Sequence, residues 1–411
     1  MSDLQKSFAK SRLAKLPPPV YDVEEQVGQP GGSHEDDRSS VSSASSTGTV
    51  RPSSSSNLFA RPSGVSQRST LAPLPWMDFF DRELFITQEV DGARIVHHAY
   101  ITSPSGSGPL FVTHHGAGSC GLSFAACAVE IRKILPSAGI LSIDARNHGL
   151  TSQSKLEGDD SDADNATPLM DLSLETLGHD LVYVVNRTNV EMNWNSLPPL
   201  VLVGHSLGGA VVTGVAKSGE LGSDVLAYAV LDVVEGSAMD ALQSMETYLA
   251  TRPTGFPSLA SGIEWHTRSR TIRNNISARV SVPGLLQEEP SDPSRPWKWR
   301  TDLAATKPFW ENWFVGLSKK FLEARGGKLL LLAGTDRLDK ELMIGQMQGK
   351  YQLQVFPEAG HFIQEDQPMK TAQVLVDFYK RNDRSALILP PKVGDMLAAK
   401  AMAKGAGAAG K

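Results

Sequence analysis

Cysteine is almost missing from this sequence: Cys120 and Cys127 are the only two in 411 residues. They sit seven apart on one expected helix, a spacing that supports neither a disulfide framework nor a cysteine-based zinc site. A surplus of positive charge is missing as well. Forty basic residues against 45 acidic ones leave a net charge of -5, so no basic field draws nucleic acid or an anionic membrane. Residues 1–15 hold no unbroken apolar run and resemble neither a signal peptide nor an anchor. These absences predict a soluble protein of a reducing compartment, cytoplasmic, nuclear or both, whose partners are recognised locally.

Apolar surface is scarce at both ends. Residues 1–70 are dominated by Ser, Pro, Gly and charge, with serine runs over 39–46 and 53–56, too little to offset the entropy of ordering. They are predicted to be a disordered leader, and the Ala, Gly and Lys-rich residues 385–411 a flexible tail. The ordered domain is expected over 71–384.

Within it the chain is organised around Val201-Leu202-Val203-Gly204-His205-Ser206-Leu207-Gly208-Gly209. The apolar run reads as a strand buried on both faces. The spacing Gly204-x-Ser206-x-Gly208 is that of a strand-to-helix turn so tight that its serine is strained and exposed, with no room for side chains two residues to either side. A helix over 210–216 then directs its positive end at the serine. By itself this pentapeptide is a weak signal in a chain of 36 glycines; the strand before it and the helix after it strengthen it.

Around this turn the pattern alternates. Strands are predicted at 83–90 and 94–102, joined at Asp91-Gly92, then at 110–114, 139–144, 226–236, 328–333 and 351–356. Helices are predicted at 122–135, 173–185 and 368–380. About eight strands alternating with helices give a mostly parallel α/β sheet with helices on both faces. Residues 155–167 read as an acidic surface insertion. Residues 237–325, rich in Trp and Arg, show no strand and are expected to form a helical and irregular inserted cap over the site.

His114-His115-Gly116-Ala117-Gly118 is a glycine-rich loop after a strand, and its Ala117 N–H is the expected partner of the Leu207 N–H in an oxyanion hole. His114 and His115 otherwise read as a strand-end pair, one buried and one solvated. No third ligand lies at helical or hairpin spacing, so neither a metal nor any other cofactor is expected. The loop 144–149 reads as structural packing beneath the site. His361, following Gly360 after the last strand, is the expected general base for Ser206. The order serine, acid, histidine is that of an α/β-hydrolase. Two carboxylates at strand ends compete for the acid: fold position favours Asp336, apolar surroundings favour Asp232, and chemistry alone leaves them even.

The strings Leu231-Asp232-Val233-Val234-Glu235-Gly236 and Ile344-Gly345-Gln346-Met347-Gln348-Gly349, with Ser277-Ala278-Arg279-Val280-Ser281, resemble the protein phosphatase methylesterases over about 73–378. That resemblance implies the α/β-hydrolase fold and a triad of Ser206, Asp232 and His361, leaving Asp336 structural. It also implies a partner and substrate, the catalytic subunit of protein phosphatase 2A, whose methyl-esterified C-terminal leucine is hydrolysed. Met347 is then a candidate lining of the leucine pocket, since a flexible thioether suits an aliphatic side chain.

Overall fold

The computed structural model describes residues 71–90, 92–156, 170–334 and 338–383. The expected leader and tail, most of the acidic insertion, and Asp336 lie outside them. Strands β1 (Arg82–Val90) and β2 (Ala93–Thr102) pair antiparallel, and in β1 only Leu84 and Ile86 are buried. This is the alternation of an edge strand with one face in water. Strands β3 (Leu110–His114), β4 (Gly139–Ile143) and β6 (Leu200–His205) are buried at every residue, and β7 (Val225–Leu231) from Ala227 on. A short strand β5 (Ser152–Lys155) pairs with β2, while β11 (Gly327–Leu332) and β12 (Gln352–Val355) complete the sheet. The order is β1-β2-β4-β3-β6-β7-β11-β12, with β3, β4, β6, β7, β11 and β12 mutually parallel.

Helices α1 (Ala125–Ile134), α2 (Leu174–Glu191) and α3 (Leu207–Ser218) alternate with the early strands. The inserted region holds α4 (Glu235–Gln243), α5 (Met245–Thr251), α6 (Leu259–Arg268), α7 (Asn275–Leu285), α8 (Trp310–Trp313) and α9 (Leu317–Glu323); α10 (Lys340–Met347), α11 (Ile363–Asp366) and α12 (Pro368–Asn382) follow. Strand periodicity deals side chains to two cores. Leu200 and Leu202 join one with Leu177 and Leu181 of α2 and Val211 and Val215 of α3; Val201 and Val203 join the other with Ile131 of α1 and Leu375 and Val376 of α12. Burying each such side chain stabilises the fold by roughly 1.5–3 kcal/mol. The layers are therefore written in the residue-by-residue alternation of strands that read as unbroken apolar runs.

The inserted region differs from expectation. It carries three short strands, β8 (Gly255–Phe256), β9 (Leu286–Glu288) and β10 (Trp297–Trp299), in an antiparallel sheet with β10 in the middle. Strands of two or three residues are too short to show a period, so the sequence pattern misses them. Its tryptophans also divide. Trp265 and Trp299 pack edge to face 6.0 Å apart beside Phe256, whereas Trp310 and Trp313 are buried in the core that holds α2 and α3.

Tyr228, wholly buried on β7, donates its hydroxyl to the Phe321 carbonyl of α9. Tyr228→Phe strands that carbonyl without a donor and is expected to destabilise the protein by about 1–3 kcal/mol, read from urea unfolding midpoints.

Candidate active site

The turn after β6 is built on what cannot fit there. A Cβ on Gly204 would lie 2.1 Å from the Gly208 carbonyl oxygen, and one on Gly208 would lie 2.1 Å from that of His114. Between them Ser206 takes φ 52°, a left-handed value costly for a residue with a side chain. Its N–H is held by the Leu231 carbonyl at 3.0 Å, and its own carbonyl accepts from Gly209 at 2.8 Å. Leu207 opens α3 immediately afterwards, so its N–H is among the first, unpaired amides of a helix N-terminus.

Asp232 follows β7 in the same strained region, φ 52°, its N–H bound to the Leu331 carbonyl at 2.8 Å. The carboxylate is buried. Its Oδ2 accepts from His361 Nδ1 at 2.8 Å and its Oδ1 from the Ala333 N–H at 2.9 Å. The His361 side chain is 46% exposed. Its loop is pinned from behind by Asp366, which accepts the Gly360 N–H at 2.6 Å and the Arg273 N–H at 2.7 Å. Burial raises the Asp366 carboxyl above its ordinary value, and these donors oppose the rise. The structure therefore joins Asp232 to His361 and sets both beside the turn that carries Ser206. His361 bonds Asp232 and, through its backbone carbonyl, His205, but not Ser206 itself. Such links often close only once substrate is bound.

Opposite stands the loop after β3. A Cβ on Gly116 would come within 2.9 Å of the Ser206 Cβ, which puts this loop against the serine. Here the structure corrects one expectation: both His114 and His115 are buried. His114 Nδ1 donates to the His115 carbonyl at 2.9 Å. His115 Nδ1 donates to the Gly116 carbonyl at 2.7 Å, while its Nε2 accepts from the Ala145 N–H at 3.0 Å. The loop 144–149 packs beneath, as expected, but it does more. His148 Nδ1 donates to the Arg146 carbonyl at 2.8 Å, leaving Nε2 to accept the Gly118 N–H at 2.9 Å. Arg146 is held in turn by both oxygens of Asp180, at 2.9 and 2.7 Å. Sequence spacing does not reveal the part of His148, because its partner lies thirty residues away in another loop.

Met347 ends α10 with its side chain 88% exposed, beside the exposed Met343 and Ile344, and so lines no enclosed pocket. Asp336 lies outside the described residues. Among the described residues no group of three or more His, Cys, Asp or Glu is arranged to hold a metal ion, and no helix is long and apolar enough to cross a membrane.

A family model described as the alpha/beta hydrolase family matches residues 110–374. The protein phosphatase methylesterase 1 of Aspergillus fumigatus is 70% identical, covering 99% of this chain and 96% of its own. That of Neurospora crassa is 58% identical over 97% and 99%, and that of Schizosaccharomyces pombe 43% identical over 78% and 88%. The crystal structure of E-2-(acetamidomethylene)succinate hydrolase aligns with a TM-score of 0.53 at 18% identity, covering 72% of this chain and all of the other. That likeness speaks for the fold alone.

Burial sets the charge of this site. It pulls the imidazole of His114 down to about 4 and that of His205 to about 3, and it lowers His115 and His148 as well. Unfolding returns each to its ordinary 6.5, so between those values the unfolded chain binds more protons. Stability is then whole above about pH 6.5 and falls as pH drops toward 4, by up to about 1.4 kcal/mol per pH unit for each imidazole. Glu365 and Asp366, raised by burial, oppose the trend from about pH 4 upward. Urea midpoints at about pH 7.5 and about pH 5 should separate clearly in the native protein and less in His114→Gln, which keeps a donor but does not titrate.

Proposed function

Because this chain belongs to the protein phosphatase methylesterase family of α/β-hydrolases, and is a carboxylic ester hydrolase, we propose that it removes the methyl ester from the C-terminal leucine of the protein phosphatase 2A catalytic subunit. Ser206 is the nucleophile, His361 the general base and Asp232 the acid that orients it. The observation that carries this reading is the 2.8 Å bond between Asp232 and His361 beside a strained serine turn. A carboxylate that is 2% exposed, with its second oxygen satisfied by Ala333, suits an anion that steadies an imidazolium.

In this reading His361 Nε2 takes the Ser206 hydroxyl proton as Oγ attacks the ester carbonyl, and the Ala117 and Leu207 amides receive the developing oxyanion. Collapse expels the methoxy oxygen, which takes the proton from His361 and leaves as methanol. Water, deprotonated by the same imidazole, then attacks the acyl-enzyme and frees the leucine carboxylate and the Ser206 hydroxyl. Methanol is too small a leaving group to supply binding energy. Recognition therefore rests on the acyl side: the leucine, the peptide before it and the phosphatase body. If the tail runs over the exposed face of α10, Met347 contacts the leucine, and unchanged cleavage by Met347→Ala would remove it from the site.

The test is methanol release from carboxymethylated phosphatase by the pure protein. Release is expected to fall by about 10⁴ in Asp232→Asn and to persist in Asp336→Asn; the reverse pattern exchanges the acid. Cleavage of simple activated esters without cleavage of the intact phosphatase would leave only a generic esterase. Binding of the phosphatase without any turnover would leave a sequestering protein.

A further inference from the structure

His205 is the last residue of β6, 1% exposed, after five apolar or glycine positions. A space-filler there needs no nitrogen. This imidazole nevertheless lies with Nε2 2.9 Å from the backbone carbonyl oxygen of His361. A carbonyl only accepts, so Nε2 carries the hydrogen and Nδ1 is left with a bare lone pair. That Nδ1 is buried and has no hydrogen-bond partner, an arrangement that costs stability and is not explained by packing. The ring also lies against the base itself: its centroid is 4.6 Å from that of His361 and 5.0 Å from that of Phe362.

We propose that His205 is a positioning residue for the general base: it ties the His361 backbone to the residue next to the nucleophile, while Asp232 ties the His361 ring. This inference rests on the triad reading above. His361 stands in a connecting loop with its side chain half exposed, and the bond to Asp232 alone fixes one ring nitrogen but not where the loop carries it. The bond from His205 runs from the rigid end of β6, so the base and the Ser206 turn share one anchor. A misplacement of about 1 Å between reacting groups costs on the order of 10²-fold in rate. Because burial keeps His205 neutral, protonation of His361 during the reaction does not place a second cation against it.

The experiment compares His205→Leu, which fills the space without a donor, with His205→Gln, whose amide nitrogen reaches the same carbonyl. Turnover of a small activated ester and of carboxymethylated phosphatase is measured, with the downfield proton resonance of the His361–Asp232 bond as a spectroscopic check. His205→Leu is expected to lose about 10- to 100-fold in kcat with little change in KM and to broaden or lose that resonance, and His205→Gln to recover kcat to within about threefold. A folded His205→Leu protein with native kcat and resonance would overturn the proposal, as would a His205→Gln protein as impaired as the leucine variant. Should His205→Leu not fold, His205→Asn decides: its shorter amide falls short of the carbonyl, so loss of kcat supports the tie and native kcat refutes it. Ser206→Ala and His361→Ala are run alongside. If they retain turnover, the triad reading itself has failed, an outcome distinct from failure of the His205 tie.

Discussion

The absence of room for a side chain at Gly204 and Gly208 governs this molecule. With backbone oxygens 2.1 Å from where a Cβ would stand at each, the chain turns from β6 into α3 within one residue. That residue, Ser206, is forced to positive φ. Such strain, of order 1–3 kcal/mol, persists because the surroundings over-determine it. Three largely buried strands, β3, β6 and β7, flank or form the turn, and the Leu231 carbonyl of the neighbouring strand holds the Ser206 amide. Asp232 repeats the device one strand over, with the same φ and an amide bound to the next strand along. The two strained residues are thus set side by side by the parallel register of the sheet.

A second organising feature is a group of imidazoles kept neutral by burial. Because each has one nitrogen committed to a carbonyl, the other is left to accept, and two of them use it on backbone amides: His115 on Ala145 and His148 on Gly118. Lysine or arginine offers no lone pair in this role, and a carboxylate would set a negative charge beside the place where an oxyanion is proposed to form. Neutral histidine orders the loop without adding a field.

The fold was legible because its central strands are unbroken apolar runs and its edge strand alternates. The tight turn was legible because glycines at minus two and plus two have a steric reason. The strand-end placement of Asp232 and of His361 followed from the same runs. What the sequence did not disclose depends on contacts between distant loops. Nothing local to His148 or His205 announces which backbone group each will meet, and Asp366 looks like any helix-end carboxylate until Gly360 is seen against it. The strands β8, β9 and β10 escaped because two or three residues carry no period. The pattern leaves one ring of the His114–His115 pair in solvent, but β3 lies deep inside the sheet and the loop after it is covered by Leu303, so both are buried.

That covering has its own consequence. Leu303 sits so close to Gly118 that a Cβ there would lie 2.6 Å from its Cδ1, and Thr301 beside it donates to the Asn147 carbonyl at 3.0 Å. The inserted region is thereby stitched to both loops that shape the floor of the site. Any fluctuation that lifts the 301–303 segment also uncovers a glycine held in a left-handed conformation, so the two are lost or kept as one cooperative unit. Opening of the 301–303 segment is thereby tied to the order of the two loops beneath it.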